Sequence, residues 1–267
     1  MSSELKERVY IVTGGSRGFG LAIAKGLVSR GARVGLLSRN QEGLDQAVAE
    51  IGSDHAFGLA GDVAQLEDIS RAFEAVKSHF GRLDGLVNNA GMARPNAVEH
   101  LKEAEVIMQV QTNFLGTVFC CQAAIPLLRG GENPRIVNIS SASAHHYDEM
   151  SHLSIYAATK AAVERFTRDL REELQEDRIG VTCLRPGGAW TTFAEGWNAE
   201  ATLAGFEAWA QKGTHMDTGM EVEQVADAVA YALMQPPGVA VDLLEIRPNV
   251  PTPKGNYRST DSERILL

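Results

Sequence analysis

Tyr156 and Lys160 stand four residues apart in Tyr156-Ala-Ala-Thr-Lys160. On a helix that spacing puts both side chains on one face, one turn apart. A phenol with pKa near 10 exchanges protons poorly at neutral pH, but a neighbouring ammonium favours the phenolate. Lowering a phenol by roughly three pKa units corresponds to about 4 kcal/mol. Such a tyrosine can pass a proton to or from a substrate oxygen. Upstream, Asn138-Ile-Ser-Ser141 offers hydroxyls that can hold a carbonyl oxygen, and Ser143 follows closely. Asn113, in Gln111-Thr-Asn-Phe-Leu-Gly116, interrupts a long helical pattern and is placed to hold a water in a proton relay. Each feature taken alone also has a purely structural reading.

A second chemistry is phosphate binding. Thr13-Gly14-Gly15-Ser16-Arg17-Gly18-Phe19-Gly20 follows a β-rich run and precedes a helical pattern. Glycines there let the chain turn sharply and bring backbone N–H groups and a helix N-terminus against a pyrophosphate. An NAD-type site would want an acid at the end of the second strand, on the ribose 2′-hydroxyl; Ser38-Arg39-Asn40 stands there instead. Arg39 and Arg17 together suit a 2′-phosphate, which guanidinium forks bind and carboxylates repel. NADP(H) is the expected cofactor. Asp62-Val63 is expected to receive the adenine amino group, and Asn88-Asn89-Ala90-Gly91 closes the fourth strand with small polar residues.

These groups need a scaffold that gathers them at one edge. Short apolar runs at 9–13, 33–38, 55–60, 83–88, 135–140, 179–184 and 241–246 alternate with helical patterns at 18–30, 41–51, 65–80, 98–128, 155–177 and 221–235. Strands alternating with helices predict right-handed βαβ units around a parallel sheet, and near-continuous apolar strands predict helices on both faces. The expected fold class is α/β: a single domain, doubly wound, with a seven-stranded parallel sheet. Ligands bind at the carboxyl edge of such sheets. The stretch 192–220 has weak periodicity and reads as a substrate lid; 249–267 reads as a C-terminal extension with no packed element of its own.

The ordered set Thr13-Gly-x-x-x-Gly18-x-Gly20, Asp62, Asn88-Asn-Ala-Gly91, Asn113, Asn138-Ile-Ser-Ser141, Tyr156-x-x-x-Lys160 and Pro186-Gly187 resembles the short-chain dehydrogenase/reductase family over residues 8 to about 248. The resemblance implies a Rossmann domain in which a hydride passes between nicotinamide and a carbonyl or alcohol carbon. Tyr156 would then be the general acid/base, Lys160 would bind the nicotinamide ribose and lower the tyrosine pKa, Ser141 would hydrogen-bond the substrate oxygen, and Asn113 would support the water relay. Thr191, with backbone near Ala189, would hold the nicotinamide carboxamide. Arginines at positions 17 and 39 match the NADP-preferring pattern. One departure is the spacing: Ser141 and Tyr156 are 15 residues apart, two more than is common in the family, whereas Ser143 has the common separation. Ser141 is favoured because it ends the strand in register, so the extra residues bulge into the loop His145–His152.

That loop is expected to shape substrate choice through His145, Tyr147 and His152, joined by Trp190, Phe193 and Trp197 from the segment after Pro186. Its histidines read as solvated or substrate-facing rather than as metal ligands. The aromatic lining favours a partly apolar small-molecule substrate. Apolar faces at Val110, Phe114 and Val118, and at Val163, Phe166, Leu170 and Leu174, would build a homodimer or homotetramer by the family resemblance, or would serve as ordinary core. With 34 acidic and 25 basic residues the net charge is −9, which disfavours nucleic acid and anionic membrane surfaces as partners. The polar start and the lack of a long apolar run predict a cytoplasmic protein. Cys120, Cys121 and Cys183 fit buried small hydrophobes rather than disulfides. The reaction expected is NADPH-dependent reduction of a ketone, or oxidation of a secondary alcohol. The alternatives are an NAD-dependent dehydrogenase of cyclic or aryl alcohols and a non-catalytic NADP(H)-binding sensor.

Overall fold

The structure is a computed structural model that describes residues 5–146, 151–189, 191–211 and 219–249. Seven strands, β1 (Val9–Thr13), β2 (Arg33–Ser38), β3 (Ala56–Ala60), β4 (Gly85–Asn88), β5 (Arg135–Ile139), β6 (Gly180–Pro186) and β7 (Leu243–Ile246), form one sheet in the order β3-β2-β1-β4-β5-β6-β7. Every pairing is parallel. The connections run outward from β1 on one side and from β4 on the other, so their carboxyl ends form the crevice of a doubly wound, Rossmann-type sheet.

Alternation along β1 shows why both faces must be covered. Tyr10 and Val12 enter one core, with α1 (Gly18–Val28), α2 (Gln41–Ile51) and α8 (Val222–Leu233); Val9 and Ile11 enter the other, with α3 (Leu66–Phe80), α5 (Gly116–Leu128) and α6 (Ser154–Glu173). The three cysteines are free and buried. Among the described residues no helix is long and apolar enough to cross a membrane.

Two expectations change. The helical pattern at 98–128 is not one helix: it breaks into a 3-10 turn at Val98–His100, α4 (Glu103–Val110), a π turn at Gln111–Leu115 and α5. The wider π turn is where buried Asn113 reaches across to Met92, and Gly116 directly after it packs so closely on Val63 that an added Cβ would lie 2.8 Å from a Val63 methyl. Within 192–220, the described residues 192–211 are more regular than their periodicity predicts. They hold a 3-10 turn at Thr192–Ala194 and α7 (Ala199–Gln211). Alanine-rich sequence favours helix without an amphipathic stripe, and Asn198 starts it by accepting from Ala201 N at 2.9 Å. Residues 250–267 of the expected extension lie outside the described residues.

Candidate functional site

Tyr156 and Lys160 share one face near the start of α6, as their spacing predicts, and Lys160 Nζ lies 5.8 Å from the centre of the Tyr156 ring. Lys160 is buried and donates to the Ile139 carbonyl at 2.8 Å, which ties α6 to the end of β5. Burial lowers its pKa to about 8. Cys183 nearby does not offset this, because burial pushes its own thiol up to about 12 and leaves it neutral. A Cβ built on Gly91 would sit 3.3 Å from Lys160 Nζ and 3.5 Å from Asn113 Oδ1, so the Asn-Asn-Ala-Gly turn closes on both.

Asn113 is locked. Its Oδ1 accepts from Met92 N at 2.8 Å and its Nδ2 donates to Met92 O at 2.9 Å and to Thr159 Oγ1 at 3.0 Å. Thr159 Oγ1 in turn donates to the Tyr156 carbonyl at 2.7 Å. Asn113 therefore fixes the loop after β4 against the first turn of α6. Thr159 was missed in the sequence, although it lies inside the Tyr-Ala-Ala-Thr-Lys motif.

The two candidate serines form one unit. Ser141 Oγ accepts from Ser143 N at 3.2 Å and from Ser143 Oγ at 2.9 Å. With its acceptor capacity met by Ser143, Ser141 keeps its own proton for a substrate oxygen. Ser140 turns the other way, donating to Glu164 Oε1 at 2.8 Å.

The glycine-rich turn is built for an anion. Gly14 has φ +65°, in the left-handed region. Gly20 is a close approach: an added Cβ would fall 2.1 Å from Gly14 O and 2.7 Å from Asn89 Nδ2. Asn89 pins the turn, donating through Nδ2 to Thr13 O at 2.9 Å, while the N–H groups of Asn89 and Ala90 both reach Thr13 Oγ1 at 3.0 Å. Helix α1 begins with no side-chain cap and no acid in its first turn, so its N–H groups remain available. Ser16 and Ser38 join hydroxyl to hydroxyl at 2.9 Å, linking the turn to the end of β2. Arg39 is exposed there, and Asn40 caps α2 by accepting from Gly43 N at 3.3 Å. Phe19 packs against the core. Val63 is buried, and Asp62 accepts from Ala64 N at 2.9 Å. The uncapped helix, the tight glycine cradle and the absence of a carboxylate at 38–40 fit a dinucleotide phosphate chain.

On the opposite bank, Pro186 ends β6, Gly187 N donates to Ile246 O at 2.8 Å, Ala189 bridges to Met220, and Thr191 Oγ1 accepts from Phe193 N at 3.2 Å. The Phe193 ring lies 5.4 Å from the Tyr156 ring and 5.8 Å from that of Trp197. His145 meets His146 edge to face at 5.1 Å. His152 has φ +65°. Tyr147 and Trp190 lie outside the described residues. Glu195, from the 3-10 turn region, forms an ion pair with Arg17, a contact between segments 178 positions apart that no local signal announces.

A short chain dehydrogenase family profile matches residues 8–202. An uncharacterized oxidoreductase of Staphylococcus epidermidis is 31% identical over 92% of this chain and 99% of its own length. Among solved structures, a 3-ketoacyl-(acyl-carrier-protein) reductase from Brucella melitensis complexed with NADH superposes with a TM-score of 0.79 at 28% identity, over 91% of this chain and 97% of that one. A short chain dehydrogenase from Burkholderia cenocepacia in complex with NADP gives 0.79 at 30% identity, over 91% and 98%. An all-parallel sheet, a glycine turn against an uncapped helix, a paired tyrosine and lysine and this family match converge: the chain is an oxidoreductase of the short chain dehydrogenase family.

Proposed function

We propose that this protein is an NADPH-dependent carbonyl reductase, able to run in reverse as an alcohol dehydrogenase, acting on a small, partly apolar ketone or secondary alcohol. The observation that carries the reading is the buried Lys160 ammonium 5.8 Å from the Tyr156 ring, at the same sheet edge as the glycine cradle. Gly14 and residues 16–20, 38–40, 62–63 and 89–91, with Pro186, Gly187, Ala189 and Thr191, would hold the dinucleotide, whose nicotinamide supplies or accepts the hydride. Ser141 donates a hydrogen bond to the carbonyl oxygen and polarises it. Tyr156 gives its phenolic proton to that oxygen as negative charge develops, and Lys160 stabilises the phenolate left behind. The locked Asn113 and Thr159 keep α6 in register with Gly91. Phe193 and Trp197 form an apolar wall beside the tyrosine and limit water there.

Preference for NADPH is supported by exposed Arg39 and by the lack of an acid at 38–40. Related structures hold NADH in one case and NADP in another, so the test compares the two cofactors side by side. NADPH and NADH are run separately against ketones, aldehydes, keto esters and quinones. We expect turnover with NADPH, a loss of about 10²- to 10⁴-fold in kcat for Tyr156→Phe with cofactor binding intact, and a shift toward NADH of at least about tenfold in Arg39→Asp. Retained activity in Tyr156→Phe removes the tyrosine from its role; an unchanged cofactor ratio removes Arg39 from the phosphate site. For assembly we propose a homodimer or homotetramer through the apolar side of α4, where Ile107 is 47% and Val110 36% exposed.

A further inference from the structure

Three segments at the carboxyl edge, the run after β4, the loop before α6 and the turn entering α7, line an open cavity of about 370 Å³. That volume is at the lower end of small-molecule sites. Its basic lining consists of the cations Arg94 and Lys102 with the imidazoles of His100 and His152, and its acidic groups are Glu105 and Glu200. Lys102 and Glu105 face each other at 3.9 Å. Glu200 is exposed in the first turn of α7, where water screens it.

Arg94 differs from the others. It is half-buried; its backbone N–H donates to Gln109 Oε1 at 3.1 Å and its Nη1 to the Ala93 carbonyl at 2.8 Å. Among the described residues no carboxylate forms an ion pair with it, so a half-buried guanidinium is held in place without a counter-charge. His152 stands beside it with φ +65°, its carbonyl accepting from Asn96 N at 2.9 Å, while Asn96 Nδ2 donates to His100 O at 2.8 Å. A non-glycine residue kept in that conformation is strained and is held there by its surroundings. His152 Nδ1 is buried with no hydrogen-bond partner among the described residues.

The same segments carry the reaction centre. Arg94 is three residues past Gly91, and His152 is four before Tyr156. The Arg94 guanidinium abuts Gly196, 3.4 Å from where a Cβ would be, in the turn whose Phe193 ring lies 5.4 Å from the Tyr156 ring. We propose that this cavity is the distal subsite of the substrate and binds a carboxylate on Arg94, with His152 as a second polar contact, so that the substrate is a keto acid or the matching hydroxy acid. The proposal rests on the carbonyl-reductase reading.

The test compares 4-oxopentanoate, 5-oxohexanoate and 6-oxoheptanoate with their methyl esters under NADPH. A charge-assisted pair at Arg94 predicts an acid-to-ester ratio of kcat/KM above about ten for at least one chain length in the wild type. The ratio falls to about one in Arg94→Gln, and Arg94→Lys, which restores the charge, recovers part of it. A wild-type ratio at or below one, or the same ratio in Arg94→Gln, overturns the subsite. Should neither acid nor ester be reduced, the reductase reading fails for these ketones, and the subsite is judged by calorimetry of heptanoate against heptanamide. Heptanoate binding at least about tenfold tighter than the amide in the wild type but not in Arg94→Gln supports it; equal or undetectable binding of both overturns it.

Discussion

A buried ammonium such as that of Lys160 is destabilising in itself, because the charge leaves water and its hydrogen bond to the Ile139 carbonyl at 2.8 Å is to a neutral acceptor. Its pKa is lowered by burial to about 8, below the 10.5 of a free lysine. Between those values the unfolded chain binds a proton that the native state has released, so stability rises with pH; below 8 the cost is present in full, ~3 kcal/mol. Lys160→Met should thus be inactive yet more stable than the wild type at pH 7, with the gain trimmed by about 1 kcal/mol for the lost hydrogen bond. Urea unfolding at several pH values checks this: the margin over the wild type should shrink as pH rises from 8 toward 10.5, and a constant margin would refute it. Gly20 shows the opposite kind of constraint. Gly20→Ala would press a methyl against Gly14 O and Asn89 Nδ2, both parts of the cradle, so NADPH affinity should fall by at least about tenfold in a fluorescence titration, matching a small backbone displacement at a phosphate site.

Contacts between elements decide how the cofactor cleft opens. The Arg17–Glu195 ion pair joins the turn before α1 to the turn after β6, with side chains 61% and 55% exposed. A pair so exposed contributes at most about 1 kcal/mol, but it occupies a guanidinium proposed to meet the 2′-phosphate. Glu195→Gln should strengthen NADPH binding by about two- to fivefold and leave NADH binding unaltered, with the difference fading at high salt; equal gains for both cofactors would place Arg17 away from the 2′-phosphate. This scale also separates what was legible in the chain from what was not. Tyr156 and Lys160, the glycine turn, α1, α2 and β1 follow from local spacing and apolar runs. The break at Gln111–Leu115 does not, because it depends on Met92 and Val63, which only the folded sheet brings to Asn113 and Gly116. Helix α7 was hidden by its lack of a stripe. Gln109 at the Arg94 N–H, Arg17 at Glu195 and Asn113 at Thr159 are partners that only the folded chain brings together.

Across the molecule, the carboxyl edge on the β7 side is fastened by a chain of charges. Arg185 on β6 holds Glu164 of α6 through Nε and Nη2 at 2.6 and 2.5 Å, and reaches Glu245 on β7 at 3.1 Å. Glu245 Oε1 lies 2.7 Å from His146 Nε2, in the loop just past the Ser141–Ser143 pair, and Glu164 receives Ser140. Burial raises the Glu245 carboxyl, but hydrogen bonds from His146 and Arg185 outweigh it and hold it below the usual range. Arg185→Met would leave two partly buried carboxylates facing each other. The loss should be about 2 to 3 kcal/mol in urea unfolding, under the 3–5 kcal/mol typical of a fully buried pair, because Glu245 keeps 28% of its side chain in water. Replacing all three groups, Arg185→Met with Glu164→Leu and Glu245→Leu, should recover most of that loss, since no charge is then stranded. The sign with pH follows from the lowered carboxyl: Glu245 contributes stability above the unfolded carboxylate pKa of about 4.3, and that contribution disappears as pH falls through the lower folded value. Glu245→Gln should therefore unfold less steeply with acid than the wild type in urea titrations from pH 6 to pH 3. Parallel curves for the two proteins would mean that the chain of charges does not bind β7 to the serine loop energetically.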